Sequence, residues 1–377
     1  MPIFLKSILK HKKKICLHTL ICFSVSKTLA ISDTIDVLKN KFIYSASTQY
    51  GFIIVHRASV QHFSQTHFSV FQANISKQTS GSLLWHHLYH RPRVGINFLY
   101  TNFAGNTLLH SASGAQAFID FCKHPEKKNN FHFKMGCGIG YIQKPFNRDS
   151  NYKNIAIGTH FNGLVQFGFY YNFRLNKCLQ SSIGGSLIHF SNGAIKVPNL
   201  GINIASAGVA LHFLQSNSFT EKSNLFNDSI KQKNYIEFTL GSGVKQNYPP
   251  SSTSFGVVAL RSQYYFLNKQ KHNVSAGVDV FYDNGLYRKM NEDNNARNNN
   301  KTALQFGLNI QYQQNISRIS IPVFMGVYVY SNYKGNGFLY HGLGIKYKIN
   351  NRFCAGVTLK THYAKADYFL WNLVYKL

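Results

Sequence analysis

A histidine and a serine stand two residues apart in the motif H-x-S-N-G, which begins at His189. A serine hydroxyl becomes an effective nucleophile when a neighbouring imidazole accepts its proton. The motif ends a segment in which apolar residues alternate with polar ones, as in a β-strand, where residues i and i+2 point to the same face. The spacing therefore predicts that His189 and Ser191 share one face with Ile183 and Leu187 and can act together as base and nucleophile.

Alternation of apolar and polar residues recurs along the whole chain, for example in residues 165–173, 304–312 and 319–329. Aromatic residues make up 15% of the chain and charged residues 14%. Outer-membrane barrels combine aromatic girdles with a lipid-facing residue at every second position. These patterns predict an all-β fold, an antiparallel transmembrane β-barrel of about fourteen strands within a range of twelve to sixteen.

The lipid-facing side of the predicted strands follows from the same alternation. Phe167, Phe169, Leu308 and Val327 belong to the apolar side of their segments and are expected to face lipid. One barrel is expected from about residue 42 to Leu377. Because no run of 18 apolar residues occurs, no transmembrane helix is predicted. Polar segments rich in Asn, Lys and Ser predict surface loops, namely 145–154, 216–233 and 291–301.

The first thirty residues have the pattern of a secretory signal. Lysines between positions 6 and 14 precede an apolar stretch at 15–25, and Thr28, Leu29 and Ala30 offer a plausible cleavage site. The predicted organisation is a signal peptide at 1–30 and an outer-membrane barrel at 31–377. The mature protein is then exported, which is the expected route of an outer-membrane protein.

The net charge of +28 raises the question of a nucleic-acid partner. The basic residues are scattered and enriched in loops, and no basic helix or aromatic motif organises them, so nucleic acid is not an expected partner. Basic loops on a barrel would instead meet phosphorylated glycolipid. The histidines at 86, 87 and 90 have no acid or cysteine beside them, and no metal or cofactor is predicted. Disulfide pairing of the four cysteines after residue 30 cannot be assigned from their spacing.

A second motif, P-N-x-G, runs from Pro198 to Gly201. The combination H-x-S-N-G…P-N-x-G resembles the lipid A deacylase (acyloxyacyl hydrolase-type) family of outer-membrane barrels, and the chain is most similar to longer members with further strands after the motif. The resemblance implies an esterase in the outer membrane of a Gram-negative bacterium. Its expected substrate is lipid A, or lipopolysaccharide, from which it would remove an ester-linked acyl chain.

The resemblance also implies roles for the motif residues, with Ser191 as nucleophile and His189 as general base. The family has a glutamate where this sequence has Asn203, whose carbonyl can accept a hydrogen bond from the imidazole but cannot offer a charge. Glu237, on a later strand, is a remote alternative acid. The residues expected to stabilise the oxyanion or shape the site are Asn192, Gly193 and Asn199.

Two other functions stay open from the sequence. The chain could be a non-enzymatic outer-membrane barrel, a channel or structural protein in which Ser191 is a turn residue. It could also be a phospholipase that acts in the same membrane. The acyl position that is cleaved and the oligomeric state do not follow from the sequence.

Overall fold

The computed structural model describes most of the chain after residue 41. The described residues are 42–55, 57–63, 66–125, 127–215, 233–248, 250, 253–292, 303–363 and 365–377. The predicted signal peptide lies outside the described residues and stays a prediction. The predicted loops at 216–233 and 291–301 also lie almost entirely outside them.

The first half of the described chain forms eight antiparallel strands, each hydrogen-bonded to the next, and β1 pairs with β8 to close a barrel. A short 3-10 helix, Ala58–Phe63, follows β1, and helix α1, Leu84–Leu88, follows β2. The strands are β1 (Phe42–Ile53), β2 (His67–Gln78), β3 (Arg93–Asn102), β4 (Ser111–Cys122), β5 (Asn129–Ile142), β6 (Phe161–Arg174), β7 (Leu179–Ser191) and β8 (Ile202–Leu214).

The second half forms another eight antiparallel strands, and β16 pairs with β9 to close a second barrel. Helix α2, Asn284–Glu292, follows β11. The strands are β9 (Tyr235–Lys245), β10 (Phe255–Asn268), β11 (His272–Asp283), β12 (Leu304–Ile316), β13 (Ile319–Ser331), β14 (Leu339–Lys348), β15 (Phe353–His362) and β16 (Lys365–Lys376).

The predicted all-β class and the antiparallel arrangement are confirmed, and the sixteen described strands lie at the upper limit of the predicted range. The expectation of one barrel from residue 42 to Leu377 is wrong, because the strands form two closed barrels. Alternation identifies strands, but closure depends on pairs that are distant in sequence. Thr48 pairs with Val209 in the first barrel, and Leu240 pairs with Leu373 in the second.

The outer walls of both barrels are apolar. Phe167, Phe169, Leu308 and Val327 are 39% to 68% exposed, which confirms their predicted outward orientation. Among the described residues, no helix is long and apolar enough to cross a membrane.

The interior of the first barrel is polar along most of its length and apolar at one end. In the polar part, the Gln166 side chain accepts hydrogen bonds from Asn97 and Gln116 and donates one to Gln72. At the end where β7 meets β8, buried apolar side chains fill the barrel, and Phe190 and Ile202 belong to this cluster. Inward packing of these two residues fixes the orientation of their neighbours in the strands, which point outward.

The interior of the second barrel contains buried ion pairs. The Lys245 Nζ atom lies 2.5 Å from Asp283 Oδ2 and 2.6 Å from Asp367 Oδ1. Further along the lumen, Lys346 Nζ lies 2.7 Å from Glu237 Oε2. Because each of these charges is paired, the interior satisfies polar groups whose isolated burial would be costly.

The described residues of both barrels belong to one compact unit, in which the barrels touch each other. Near α1, the Tyr89 hydroxyl donates a hydrogen bond of 2.6 Å to the carbonyl oxygen of Asn315, near the end of β12. At the opposite ends of the strands, the backbone N–H of Gln246 donates to the carbonyl oxygen of Ala194 over 2.9 Å. The second of these contacts involves the turn that follows Ser191.

Candidate active site

The end of β7 carries His189 and Ser191 on the outer wall of the first barrel. Ile183 and Leu187, which share their face, are each 54% exposed, whereas the intervening Phe190 is fully buried in the apolar cluster. His189 is half-buried and Ser191 is 8% exposed, because the loops at this end of the barrel cover them partly. The structure therefore places both side chains on the face that the sequence indicated.

Asn203 lies directly opposite His189 in the β7–β8 ladder. The His189 Nδ1 atom and the Asn203 Oδ1 atom are 2.6 Å apart. Because the amide oxygen only accepts hydrogen bonds, the proton resides on Nδ1, and Nε2 keeps a lone pair that can accept a proton. The cross-strand pair thus fixes the imidazole in the tautomer that a general base needs.

The glycine of the P-N-x-G motif packs against the imidazole. Gly201 has a φ of +82°, and a Cβ atom added there would lie 2.8 Å from His189 Cε1. Its backbone N–H donates to the Ala156 carbonyl oxygen over 2.9 Å. A larger residue would be strained in this left-handed conformation and would displace the histidine.

Two hydrogen-bond donors converge on the serine oxygen. Asn199 Nδ2 lies 2.9 Å from Ser191 Oγ, and the backbone N–H of Gly193 lies 3.2 Å from it. Gly193 has a φ of +62°, a conformation that glycine adopts without strain. Such paired donors next to a nucleophile can stabilise negative charge on an adjacent carbonyl oxygen.

Asn192 holds the turn together. Its backbone N–H donates to Asn199 Oδ1 over 3.1 Å. Its side-chain Nδ2 donates to Thr159 Oγ1 at 3.0 Å and to the carbonyl oxygen of Lys196 at 2.9 Å. The backbone and side-chain N–H groups of Asn192 therefore both donate within the protein, whereas Asn199 Nδ2 and the Gly193 N–H point at Ser191 Oγ.

The loop between β5 and β6 supports this turn from the side. Ile157 forms an isolated bridge with Asn199. Asn154 anchors the loop itself, because its Nδ2 donates to the Lys144 carbonyl oxygen over 2.7 Å. The sequence predicted a surface loop at 145–154 and gave no role to Thr159 or Ala156. Their contacts with the motif cross more than thirty residues, and no local pattern signals them.

A cleft of about 710 Å³ opens beside the turn. Thr159, His160 and Phe161 line it on one side, and the exposed side chains of Lys144 and Lys196 lie at its edge. The sequence analysis did not identify this cleft. Its two lysines come from different loops, which only the folded barrel brings together.

Glu237 is not the acid partner of His189. Its carboxylate is buried inside the second barrel, where Lys346 Nζ lies 2.7 Å and the Tyr265 hydroxyl 2.9 Å from Oε2. His189 stands on the outer wall of the other barrel. The suggestion of Glu237 as an alternative third member is therefore wrong.

The histidines that follow β2 have local hydrogen bonds. His86 Nδ1 accepts from the backbone N–H groups of Gly81 and Leu83 at 3.2 and 3.3 Å. The described part of the chain contains no group of three or more His, Cys, Asp or Glu residues that could hold a metal ion. Its four cysteines are free thiols.

Closed antiparallel barrels with apolar outer walls are the architecture of outer-membrane proteins. Within that class, the sequence matches two family models. Residues 71–212 match Lipid A 3-O-deacylase (PagL), and residues 234–377 match Acyloxyacyl hydrolase, C-terminal domain. The chain belongs to the lipid A deacylase (acyloxyacyl hydrolase-type) family, as the motif indicated, and it is an outer-membrane protein.

Two solved barrel structures match this chain at low sequence identity and a low TM-score. A triple mutant of the Rhodopseudomonas blastica porin is 6% identical, with 89% of this chain and 99% of that chain covered and a TM-score of 0.17. The Acinetobacter baumannii outer membrane protein Omp33 is 8% identical, with coverages of 90% and 98% and a TM-score of 0.17. No curated protein matches the chain.

Proposed function

We propose that this protein is a serine esterase of the outer membrane that removes an ester-linked acyl chain from lipid A. Ser191 acts as nucleophile, His189 as general base and Asn203 as the residue that orients the imidazole. The observation that carries the proposal is the 2.6 Å contact between His189 Nδ1 and Asn203 Oδ1 beside a serine whose oxygen receives two hydrogen bonds.

In the first half of the reaction, Ser191 Oγ attacks the ester carbonyl carbon while His189 Nε2 accepts the hydroxyl proton. The carbonyl oxygen becomes negatively charged, and Asn199 Nδ2 and the Gly193 N–H, which lie beside Ser191 Oγ, donate hydrogen bonds to that oxygen. The C–O bond to the sugar then breaks, and the imidazolium donates its proton to the departing alkoxide. The acyl chain stays on Ser191 as an ester.

In the second half, His189 Nε2 accepts a proton from a water molecule that attacks the acyl-serine carbonyl. Collapse of the second tetrahedral intermediate releases a fatty acid and returns the proton to Ser191 Oγ. Asn203 keeps the proton of the imidazole on Nδ1 in both halves. It offers a dipole rather than a charge to the imidazolium, which predicts a slower reaction than a carboxylate at this position would support.

The position of the site fits a substrate that is embedded in a membrane. The site lies at the end of the first barrel that carries the loops 103–110 and 143–160, whereas the other end carries the turn 175–178 and the segment 79–92, which contains α1; the longest described connection of this barrel, 143–160, is therefore on the side of the site. In outer-membrane barrels the longer loops are extracellular, so the site faces the leaflet that contains lipid A. Exposed Leu187, directly beside His189 in the strand pattern, offers an apolar wall to an acyl chain.

The cleft beside the turn suits the headgroup of the same substrate. Lys144 and Lys196 at its edge can pair with phosphate groups, and Thr159 and His160 offer polar atoms to a sugar. A phospholipid would place one phosphate there, and lipid A would place a larger phosphorylated disaccharide. The volume of about 710 Å³ is large enough for the headgroup of lipid A.

The test compares lipids from cells that express wild-type protein or Ser191→Ala, by mass spectrometry of lipid A and of phospholipids. We expect lipid A that lacks one ester-linked chain only with the wild-type protein. Loss of acyl chains from phospholipids alone would identify a phospholipase instead. Identical lipids in both strains, with both proteins folded in the outer membrane, would favour the non-enzymatic barrel.

A further inference from the structure

Residues of the second barrel contact the turn that follows Ser191 in the first barrel. Gln246, directly after β9, receives a hydrogen bond of 3.2 Å at Oε1 from the Val197 N–H. Its own backbone N–H donates to the Ala194 carbonyl oxygen over 2.9 Å. One residue of the second barrel therefore bonds to both sides of the turn. The Nε2 atom of Gln246 lies 3.5 Å from Ser254 Oγ, which helps to orient the side chain.

A second contact reaches the oxyanion donor itself. A Cβ atom added to Gly193 would lie 2.2 Å from two ring carbons of Phe369, on β16. The aromatic ring therefore packs directly on the Gly193 backbone, whose N–H lies 3.2 Å from Ser191 Oγ. Phe369 is half-buried, whereas Trp371 and Leu373 on the same face of β16 are 70% and 52% exposed.

We propose that Gln246 and Phe369 are positioning residues for the esterase site, and that the second barrel acts by holding the turn 192–198 in its reactive geometry. This inference rests on the function proposed above. Loops at barrel ends open locally more easily than strands do, and displacement of an oxyanion donor by about 1 Å is enough to slow a reaction by about a hundredfold. Contacts on Gly193, Ala194 and Val197 restrain the donor from the side that the first barrel leaves open.

The first experiment measures how easily the turn 192–198 opens, by a readout that does not depend on catalysis. Hydrogen exchange of full-length protein in detergent, followed by mass spectrometry of peptides that cover 192–200, is compared for wild type, Gln246→Ala and Phe369→Ala. Both variants should exchange about tenfold faster in this turn, because a local restraint is lost. Leu373→Ala, on the same face of the same strand, is the matched control and should leave the turn unchanged.

The second experiment measures hydrolysis of purified lipid A by the same proteins. We expect kcat to fall by about tenfold in Gln246→Ala and Phe369→Ala with little change in KM, since the headgroup cleft lies in the first barrel. Gln246→Glu keeps an acceptor for the Val197 N–H and should recover most of the rate. Where Phe369→Ala fails to fold, Phe369→Leu replaces it.

A paired substitution isolates the aromatic contact. Gly193→Ala adds a methyl group that collides with Phe369, and its effect on exchange in the turn should be smaller in a Phe369→Ala background. Unchanged exchange in Gln246→Ala and Phe369→Ala overturns the proposal, and so does faster exchange with unchanged kcat. Wild-type protein that releases no acyl chain overturns the proposed function alone, and exchange then still decides whether the second barrel holds the turn.

Discussion

The two barrels have the same number of strands and both have polar interiors, but they differ in where the polar residues discussed above lie relative to the barrel wall. In the first barrel, the contact between His189 and Asn203 lies on the outer face, at the end of the strands. In the second, Lys245 lies between Asp283 and Asp367 inside the lumen. The outer face of the second barrel is apolar at positions such as Leu308 and Val327.

Polar residues in the lumen and polar residues on the outer wall of a barrel have different roles. A polar group inside a narrow barrel needs a partner to compensate for lost water, so paired charges there serve the fold. A polar pair on the outer wall could be replaced by apolar residues that lipid solvates well. Its presence at one end of one barrel needs another reason, and the proposed chemistry supplies that reason.

Substitution of the outer-wall pair should have the largest effect on activity. Ser191→Ala and His189→Ala should each reduce deacylation by about 10³-fold or more, and the double variant should be no slower than either single one, because the two residues act as a unit. The measurement is release of fatty acid from lipid A in detergent. Ser181→Ala, on the same face of β7, is the matched control.

Both single variants should keep the folded barrel, since His189 and Ser191 contribute little to the apolar cluster beneath them. Activity that survives in Ser191→Ala would contradict the assignment of the nucleophile. Additive losses in the double variant would show that the two residues do not share one step.

The sequence was sufficient for the features that follow from local alternation. It predicted the strands, the outward side of Leu308 and the approach of Asn203 to His189, because parity along neighbouring antiparallel strands determines which side chains share a face. It did not predict where the sheet closes or that Gln246 and Phe369 reach the turn. Those contacts join residues about fifty or more positions apart and depend on the packing of one barrel against the other.

Substitution of Lys245 tests whether the ion pairs in the lumen stabilise the second barrel. Lys245→Met should reduce the free energy of unfolding by about 3–5 kcal/mol, because Asp283 would stay buried without its cation and Asp367 would keep only the more distant Lys360, whose Nζ lies 3.5 Å from Oδ2, and His362. The measurement is urea unfolding in detergent, followed by the heat-dependent mobility shift that folded barrels show on gels. Lys348→Met, at an exposed strand end, is the control and should change stability little. Equal stabilities of the two variants would show that the buried ion pairs do not support the second barrel.

A charge on the apolar outer wall should have a somewhat smaller effect. Leu308→Arg at the middle of β12 should cost about 2–4 kcal/mol, because the guanidinium must leave water for lipid. The same assay of unfolding, performed in lipid bilayers, measures this cost. Asn351→Arg, at an exposed position of the turn between β14 and β15, is the control, with an expected cost of about 0–1 kcal/mol. If Leu308→Arg inserted and folded as well as wild type, the assigned outer face would be wrong.

We expect the smallest effect on the hydrolysis rate from substitutions of Asn203, the neutral partner of His189. Asn203→Ala removes the acceptor of the Nδ1 proton and should slow the reaction by about tenfold, since the imidazole then populates the wrong tautomer. Asn203→Glu should raise kcat modestly above wild type, by about two- to fivefold, because a carboxylate stabilises the imidazolium that forms in the transition state. Its gain is limited, since the carboxylate is partly desolvated while His189 is neutral.

Hydrolysis rates of wild type, Asn203→Ala and Asn203→Glu, measured in detergent, test whether Asn203 orients His189 during the reaction. Equal rates in all three proteins would remove Asn203 from the site. A rate that falls in both variants would mean that the amide is needed as an amide and that a charge here is harmful. A rise in Asn203→Glu alone would show that the outer wall tolerates a charge where it serves the reaction, in contrast to the loss expected for Leu308→Arg. The outer walls of the two barrels would then differ in chemistry, although both barrels have polar interiors.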